Sequence, residues 1–226
     1  MQNLKNKFLQ KTAVVAFAAL LGSAASADVI DFKAMAEPGG ALGESIWSTL
    51  TINGAGYQLD ITGTNSGGSA YAYLDAGNAG LGVCGAPASG ATVNAATNSG
   101  SNRCNPASDD NVTTGEALQF VFDVDVLIND LWLNNNHDAD ASLFGDTVNI
   151  GGSPFTFTTD NGGPADYYVG SSYFVAAGST FEISFNNEQF YVSGMDITAA
   201  VPEPATMALL GLGLAGLGFS RRRKKV

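Results

Sequence analysis

Positive charge, histidine, cysteine and helical patterning are all scarce in this chain, and each scarcity closes a route. Of the ten lysine and arginine residues only Lys33 and Arg103 fall between residues 28 and 200, whereas all but one of the 21 acidic residues lie between Asp28 and Asp196. A body this acidic repels phosphate backbones and lacks the basic patch that nucleic-acid binding needs, so nucleic acid is excluded as a partner. His137 is the single histidine, and Cys84 and Cys104 are the only cysteines. These are too few soft ligands for zinc, and their spacing matches no CxxC redox motif. No GxSxG elbow supplies an activated serine, and no glycine-rich loop stands between a strand and a helix to hold a nucleotide. The carboxylates offer so many pairs of the kind that hydrolyse glycosidic bonds that none stands out. The expectation is a non-catalytic protein.

What is present is a folding composition. The chain is 45% hydrophobic, 10% aromatic and only 14% charged, which argues against disorder. Between its two ends lie about 170 residues, enough for one domain with a core. Period-two runs dominate them. Tyr57, Leu59 and Ile61 alternate with polar neighbours, as do Tyr71 and Tyr73. Phe120, Phe122, Val124 and Val126 form one longer run. Val148 and Ile150 face Phe155 and Phe157 across Gly151-Gly152, which reads as a tight hairpin. Phe181, Ile183 and Phe185 lead through Asn186-Asn187 to Phe190 and Val192, a second hairpin candidate. One apolar and one polar face per strand suit an all-β fold, an antiparallel β-sandwich of jelly-roll or Ig-like type.

Residues 78–111 break the pattern. They are rich in Gly, Ala, Ser and Asn and contain both cysteines. An even cysteine pair in an exported chain points to a disulfide closing a loop of about 20 residues, worth ~3 kcal/mol in the chain-entropy model. Beyond them, Asn134-Asn135-Asn136-His137-Asp138-Ala139-Asp140, with Asp130 before and Asp146 after, crowds hard oxygen donors into one loop. Asp130, Asp138, Asp140 and Asp146 are therefore candidate Ca²⁺ ligands. The loop departs from the EF-hand pattern at Ser142, Leu143 and Asn149, and a solvated turn is the favoured reading, since Asn and Asp dominate turns. Asp109-Asp110-Asn111-Val112-Thr113 fits a bacterial N-glycan acceptor, with Asn111 as the modified residue.

The ends are built differently. Lys5, Lys7 and Lys11 precede an apolar run from Thr12 to Gly22, and Ala25-Ser26-Ala27 satisfies the small-residue rule for signal peptidase. Residues 1–27 are thus expected to be a secretion signal, cut before Asp28. The apolar run of about 11 residues reaches only ~16 Å, against a ~30 Å bilayer core. At the other end, Pro202-Glu203-Pro204 is followed by an apolar stretch from Ala205 to Phe219 and then by Arg221-Arg222-Arg223-Lys224-Lys225. The prolines interrupt any structure entering from the domain. About 15 apolar residues make ~22 Å of helix, short for a permanent span. The basic cluster would remain cytoplasmic, leaving the domain outside.

Taken in order, Pro-Glu-Pro, a glycine-rich hydrophobic helix and a terminal arginine cluster resemble the PEP-CTERM sorting signal, across residues 201–226. The resemblance implies processing by an exosortase, an integral-membrane thiol enzyme cutting near Pro202, Glu203 and Pro204. It also implies a Gram-negative, exopolysaccharide-producing source, with transient membrane anchoring and then the cell surface or extracellular matrix as destination. The organisation expected is a signal at 1–27, a β domain at 28–200 and a sorting tail at 201–226. The function expected is a non-catalytic surface or matrix protein associated with exopolysaccharide. The alternatives are a carbohydrate-binding module, dependent on calcium or not, and a secreted glycan hydrolase. Trp47, Trp132, Tyr71, Tyr73, Tyr167, Tyr168 and Tyr173 are the aromatics available for stacking on sugars; coplanar, exposed rings would favour binding and burial would favour a structural role.

Overall fold

The computed structural model describes residues 26–137, 142–159 and 166–200. In chain order the elements are β1 (Ser26–Asp31), α1 (Phe32–Ala36), β2 (Ser45–Trp47), β3 (Leu50–Gly54), β4 (Tyr57–Asn65), β5 (Gly68–Asp75), β6 (Gly80–Cys84) and β7 (Ala117–Phe122). They continue as β8 (Val126–Asn134), β9 (Thr147–Ile150), β10 (Ser153–Thr156), β11 (Tyr167–Tyr168), β12 (Tyr173–Val175), β13 (Thr180–Ser184) and β14 (Tyr191–Ala199). All the strands join one curled, 14-stranded antiparallel ladder, β10-β9-β13-β7-β4-β5-β6-β14-β8-β11, with β1 on β14, β12 on β8, β2 on β5 and β3 on β4. Among the described residues the one helix, α1, begins where the Asp31 carboxylate accepts the Ala34 amide at 2.9 Å, a side-chain N-cap.

The alternating runs become strands because only every second side chain meets the core. In β4, Tyr57, Leu59 and Ile61 are buried while Gln58 is exposed. Beside it in β7, Phe120 and Phe122 are buried and pair in register with Ile61 and Leu59. These residues join Ile128, Leu131, Leu133, Val148, Ile150, Ile183, Met195 and Ile197 in one continuous core. Each large side chain removed from water there contributes about 1.5–3 kcal/mol.

The Gly151-Gly152 hairpin forms as expected. Ser153 pairs with Ile150 and Phe155 with Val148, and both glycines have positive φ, +59° and +79°. Two positive φ values in a two-residue loop belong to the type I′ turn, which matches strand twist and which side chains disfavour.

Two expectations fail, for one reason. The run Phe120 to Val126 is not a single strand: it bends at Asp123–Asp125, where the Asp123 carboxylate accepts the Gln58 amide at 2.6 Å and that of Asp125 accepts the Ala177 amide at 2.8 Å. Nor do Phe181–Phe185 and Phe190–Val192 form a hairpin: β13 pairs with β7 and β9, whereas β14 pairs with β1, β6 and β8. In both places the chain crosses between distant parts of the ladder, and both sides of the crossing have the same alternation. The stretch 78–111 also begins with structure, since all of β6 is buried; the irregular insertion starts at Gly85.

β1 and β14 are antiparallel neighbours, with Ser26 opposite Ala199 and Ala27 opposite Thr198. The expected cut before Asp28 therefore falls inside β1 and leaves Asp28–Asp31 in the ladder. The rest of the signal, and the sorting tail with Pro202, Glu203, Pro204, Arg221, Arg222 and Arg223, lie outside the described residues. Among the described residues no helix is long and apolar enough to cross a membrane.

Candidate functional site

The irregular insertion is laid on the ladder rather than extended from it. Cys84 at the end of β6 is disulfide-bonded to Cys104, with Cα atoms 5.7 Å apart. With Ile46 and Tyr73 they form a second, small buried cluster. Returning from Cys104, the insertion crosses β6 so closely that a Cβ on Gly82 would stand 2.0 Å from the Asp110 carbonyl oxygen. Only glycine fits there.

Beneath this crossing the fold collects acidic groups. Asp75 ends β5, Asp110 lies in the returning insertion, and Glu44 precedes β2; they are 4%, 8% and 2% exposed. The hydroxyl of Tyr73 donates to Glu44 and accepts the Arg103 amide at 3.0 Å. Tyr191, at the start of β14, donates its hydroxyl to Asp110 at 2.8 Å, and the Asn102 amide reaches the other Asp110 oxygen at 3.2 Å. His137, just past β8, is exposed; its ring packs edge-on against Tyr191 with centroids 5.6 Å apart. Its Nδ1 stands 2.8 Å from Asp75 Oδ2, and its Nε2 is 3.2 Å from the Gly77 carbonyl.

The electrostatics follow from crowding like charges out of water. Burial raises the pKa of Glu44, against the Tyr73 hydrogen bond, and the Asp75 and Asp110 charges add to the rise. Burial and then the Asp75 charge raise Asp110. The close approach of the Asp75 carboxylate lifts His137 to about 9, against the opposing effect of burial. Burial, then the same two aspartates, raise the Tyr191 hydroxyl. Asp75, Asp110 and His137 bring one ligand atom each within 4.8 Å of one another, so these are the described residues that could hold a metal ion. Of them, the sequence singled out only His137. Positions 75, 110, 137 and 191 have no common spacing, and only the ladder makes them neighbours.

The expected calcium ligands are placed elsewhere. Asp130 sits on β8 and accepts the Tyr168 hydroxyl. Asp146 lies in the turn before β9, its amide donating to Leu143 at 3.0 Å. Asp138 and Asp140 lie outside the described residues. Neither Asp130 nor Asp146 belongs to a described group of three potential ligands. Asn111 is only 5% exposed, so the folded domain does not present it for glycosylation; attachment there would have to precede folding.

Among the candidate sugar-stacking aromatics, Tyr73 and Tyr167 are buried, Trp47, Tyr71, Trp132 and Tyr173 are half-buried, and Tyr168 is exposed. Trp132 and Tyr168 are adjacent on β8 and β11, with centroids 6.2 Å apart and planes 42° apart. A cavity of about 200 Å³ beside Trp132 is lined also by Val29, Asp31, Lys33, Asp166 and Ser193. In it Lys33 and Asp166 form an ion pair at 2.7 Å. A larger groove of about 870 Å³ runs along Tyr173, Phe174, Phe181 and Glu182.

The family model of the PEP-CTERM protein-sorting motif matches residues 200–224, immediately after β14. No curated protein and no solved structure matches the chain.

Proposed function

We propose that this chain, which carries the PEP-CTERM sorting motif, is an exported protein processed by an exosortase and displayed at the cell surface or in the extracellular matrix, where its β domain serves a non-catalytic, structural role among exopolysaccharide. The observation that carries this reading is the motif at residues 200–224, which begins one residue after β14 ends at Ala199. The motif implies export, surface sorting and the exosortase as processing partner. The secretion signal at residues 1–27, removed by signal peptidase, and transient anchoring by the apolar tail agree with it. The curled antiparallel ladder around its main core supports a jelly-roll or Ig-like sandwich of the kind the alternation suggests. Replacing Pro202, Glu203 and Pro204 by alanine is expected to leave full-length protein in the inner membrane, read by immunoblot of membrane and medium fractions. Release of that variant at the normal rate would remove the exosortase from the account.

A second reading, glycan binding, draws on Trp132 and Tyr168 beside the Lys33–Asp166 pocket. Their tilt and the burial of most other aromatics favour the structural role. Trp132→Ala should abolish any signal on a glycan array; a signal unchanged by it would place sugar contacts elsewhere.

A further inference from the structure

Three buried side-chain oxygens near the insertion have no hydrogen-bond partner: Asp75 Oδ2, Asn111 Oδ1 and Asn136 Oδ1. One belongs to the acidic pair; the others belong to the residues next to Asp110 and His137. Orphaned buried acceptors are uncommon and costly in folded proteins, and acceptors without donors call for a cation. His137 Nδ1 approaches Asp75 Oδ2 to 2.8 Å, but that oxygen remains without a hydrogen bond. A protonated ring makes this an ion pair, and a metal ion would take the place of that proton between the same two groups.

We propose that Asp75, Asp110 and His137 form a divalent-metal site that fastens the disulfide-closed insertion to the ladder. The ligand atoms lie within 4.8 Å of one another, a spread that an ion bonded at ~2.1 Å to each would draw in. The scarce histidine and cysteine do not make a zinc site by themselves, but two carboxylates with one imidazole are a mixed oxygen–nitrogen set, suited to Zn²⁺ or Mn²⁺ and poor in the oxygens Ca²⁺ needs. The surroundings supply outer contacts of the kind that orient such ligands. Since a carbonyl only accepts, the 3.2 Å contact with Gly77 keeps a proton on His137 Nε2, and a bound ion would displace the one on Nδ1, which faces the carboxylates. Tyr191 at 2.8 Å and Asn102 at 3.2 Å steady Asp110. The ion would join the end of β5, the returning insertion and the segment after β8.

The test uses the full-length protein, purified in detergent without a polyhistidine tag, stripped with a chelator and titrated calorimetrically with Zn²⁺, Mn²⁺ and Ca²⁺ in turn. One Zn²⁺ per chain is expected, with Mn²⁺ weaker and Ca²⁺ weakest. His137→Asn and Asp75→Asn should each reduce Zn²⁺ affinity about 100-fold or more, on the scale of losing a direct ligand, whereas Asp130→Asn should leave it unchanged. X-ray absorption of the zinc-loaded wild type, which needs no variant to fold, should show one imidazole nitrogen among oxygen donors and no sulfur. Absence of binding, equal binding by the His137 and Asp75 variants, or a shell lacking imidazole would overturn the proposal.

Discussion

Where β4 lies beside β7 the domain is held by apolar side chains at every second position, whereas between Gly85 and Glu116 it is held by one disulfide, direct backbone contact and buried polar groups. The first region is strand upon strand, with Leu59, Ile61, Phe120 and Phe122 wholly out of water. The second contains no strand, and its ties are singular: Cys84 to Cys104, Ala88 N to Arg103 O at 2.7 Å, Gly85 N to the Asp109 carboxylate at 2.9 Å. Hydrophobic burial is non-directional and shared among many neighbours, so the ladder has no single indispensable contact of the insertion's kind. The insertion gives the domain groups that a hydrophobic core cannot hold, ionisable ones stacked under a histidine, at the cost of depending on a few bonds.

The comparison can be broken by three measurements. The largest effect is expected in the ladder. Phe120 is fully buried against Phe181, with ring centroids 6.3 Å apart, and Phe120→Ala should cost about 3–5 kcal/mol in denaturant unfolding. A loss under about 1 kcal/mol would mean that the ladder is not the source of stability. Next, replacing Cys84 and Cys104 together by serine opens a loop whose ends are 20 residues apart in sequence, for a loss of about 3 kcal/mol. Limited proteolysis should then cut between Gly85 and Glu116 while far-ultraviolet circular dichroism keeps its β signature. Simultaneous collapse of both would show that the two regions are one cooperative unit.

The smallest effect per step is electrostatic. Glu116, 5% exposed, is pushed up to about 7 by burial although the Thr113 amide donates to it at 3.0 Å. An acid whose folded pKa is raised stabilises the fold below its unfolded value of 4.5 and loses that contribution as pH rises towards 7. His137, raised from 6.5 to about 9, likewise contributes fully below 6.5 and loses its contribution as pH rises through 9. Both signs agree, so stability should fall from about pH 4.5 to 9, by at most about 1.4 kcal/mol per pH unit for each proton involved. Glu116→Gln should flatten the melting-temperature profile between 4.5 and 7 and leave the upper part intact. A profile rising with pH over that range would show that some other ionisation governs the fold.

Alternation made much of the ladder readable. Tyr57–Ile61 and the Gly151-Gly152 hairpin stand where their patterns put them, because period-two burial and paired glycines are local properties. Phe120 to Val126 and Phe181 to Val192 misled because a strand that ends and resumes elsewhere keeps the same alternation, and the turn at Asp123–Asp125 is made by long-range contacts to Gln58 and Ala177. The disulfide was readable because the chain has only two cysteines. The acidic cluster was not, because Asp75, Asp110 and Tyr191 each resemble any other residue of their type until pairing of β5 with β6 and β6 with β14 sets them side by side.

The linear chain alone determined the charge asymmetry, the β character, the cysteine pair and the sorting motif, since composition, local periodicity and short contiguous patterns need no partner in space. Tertiary structure alone decided which strands pair, that the insertion lies across β6 at Gly82, and that two aspartates and the sole histidine meet beneath it. Those facts depend on contacts between residues dozens of positions apart, and no local pattern encodes such distances.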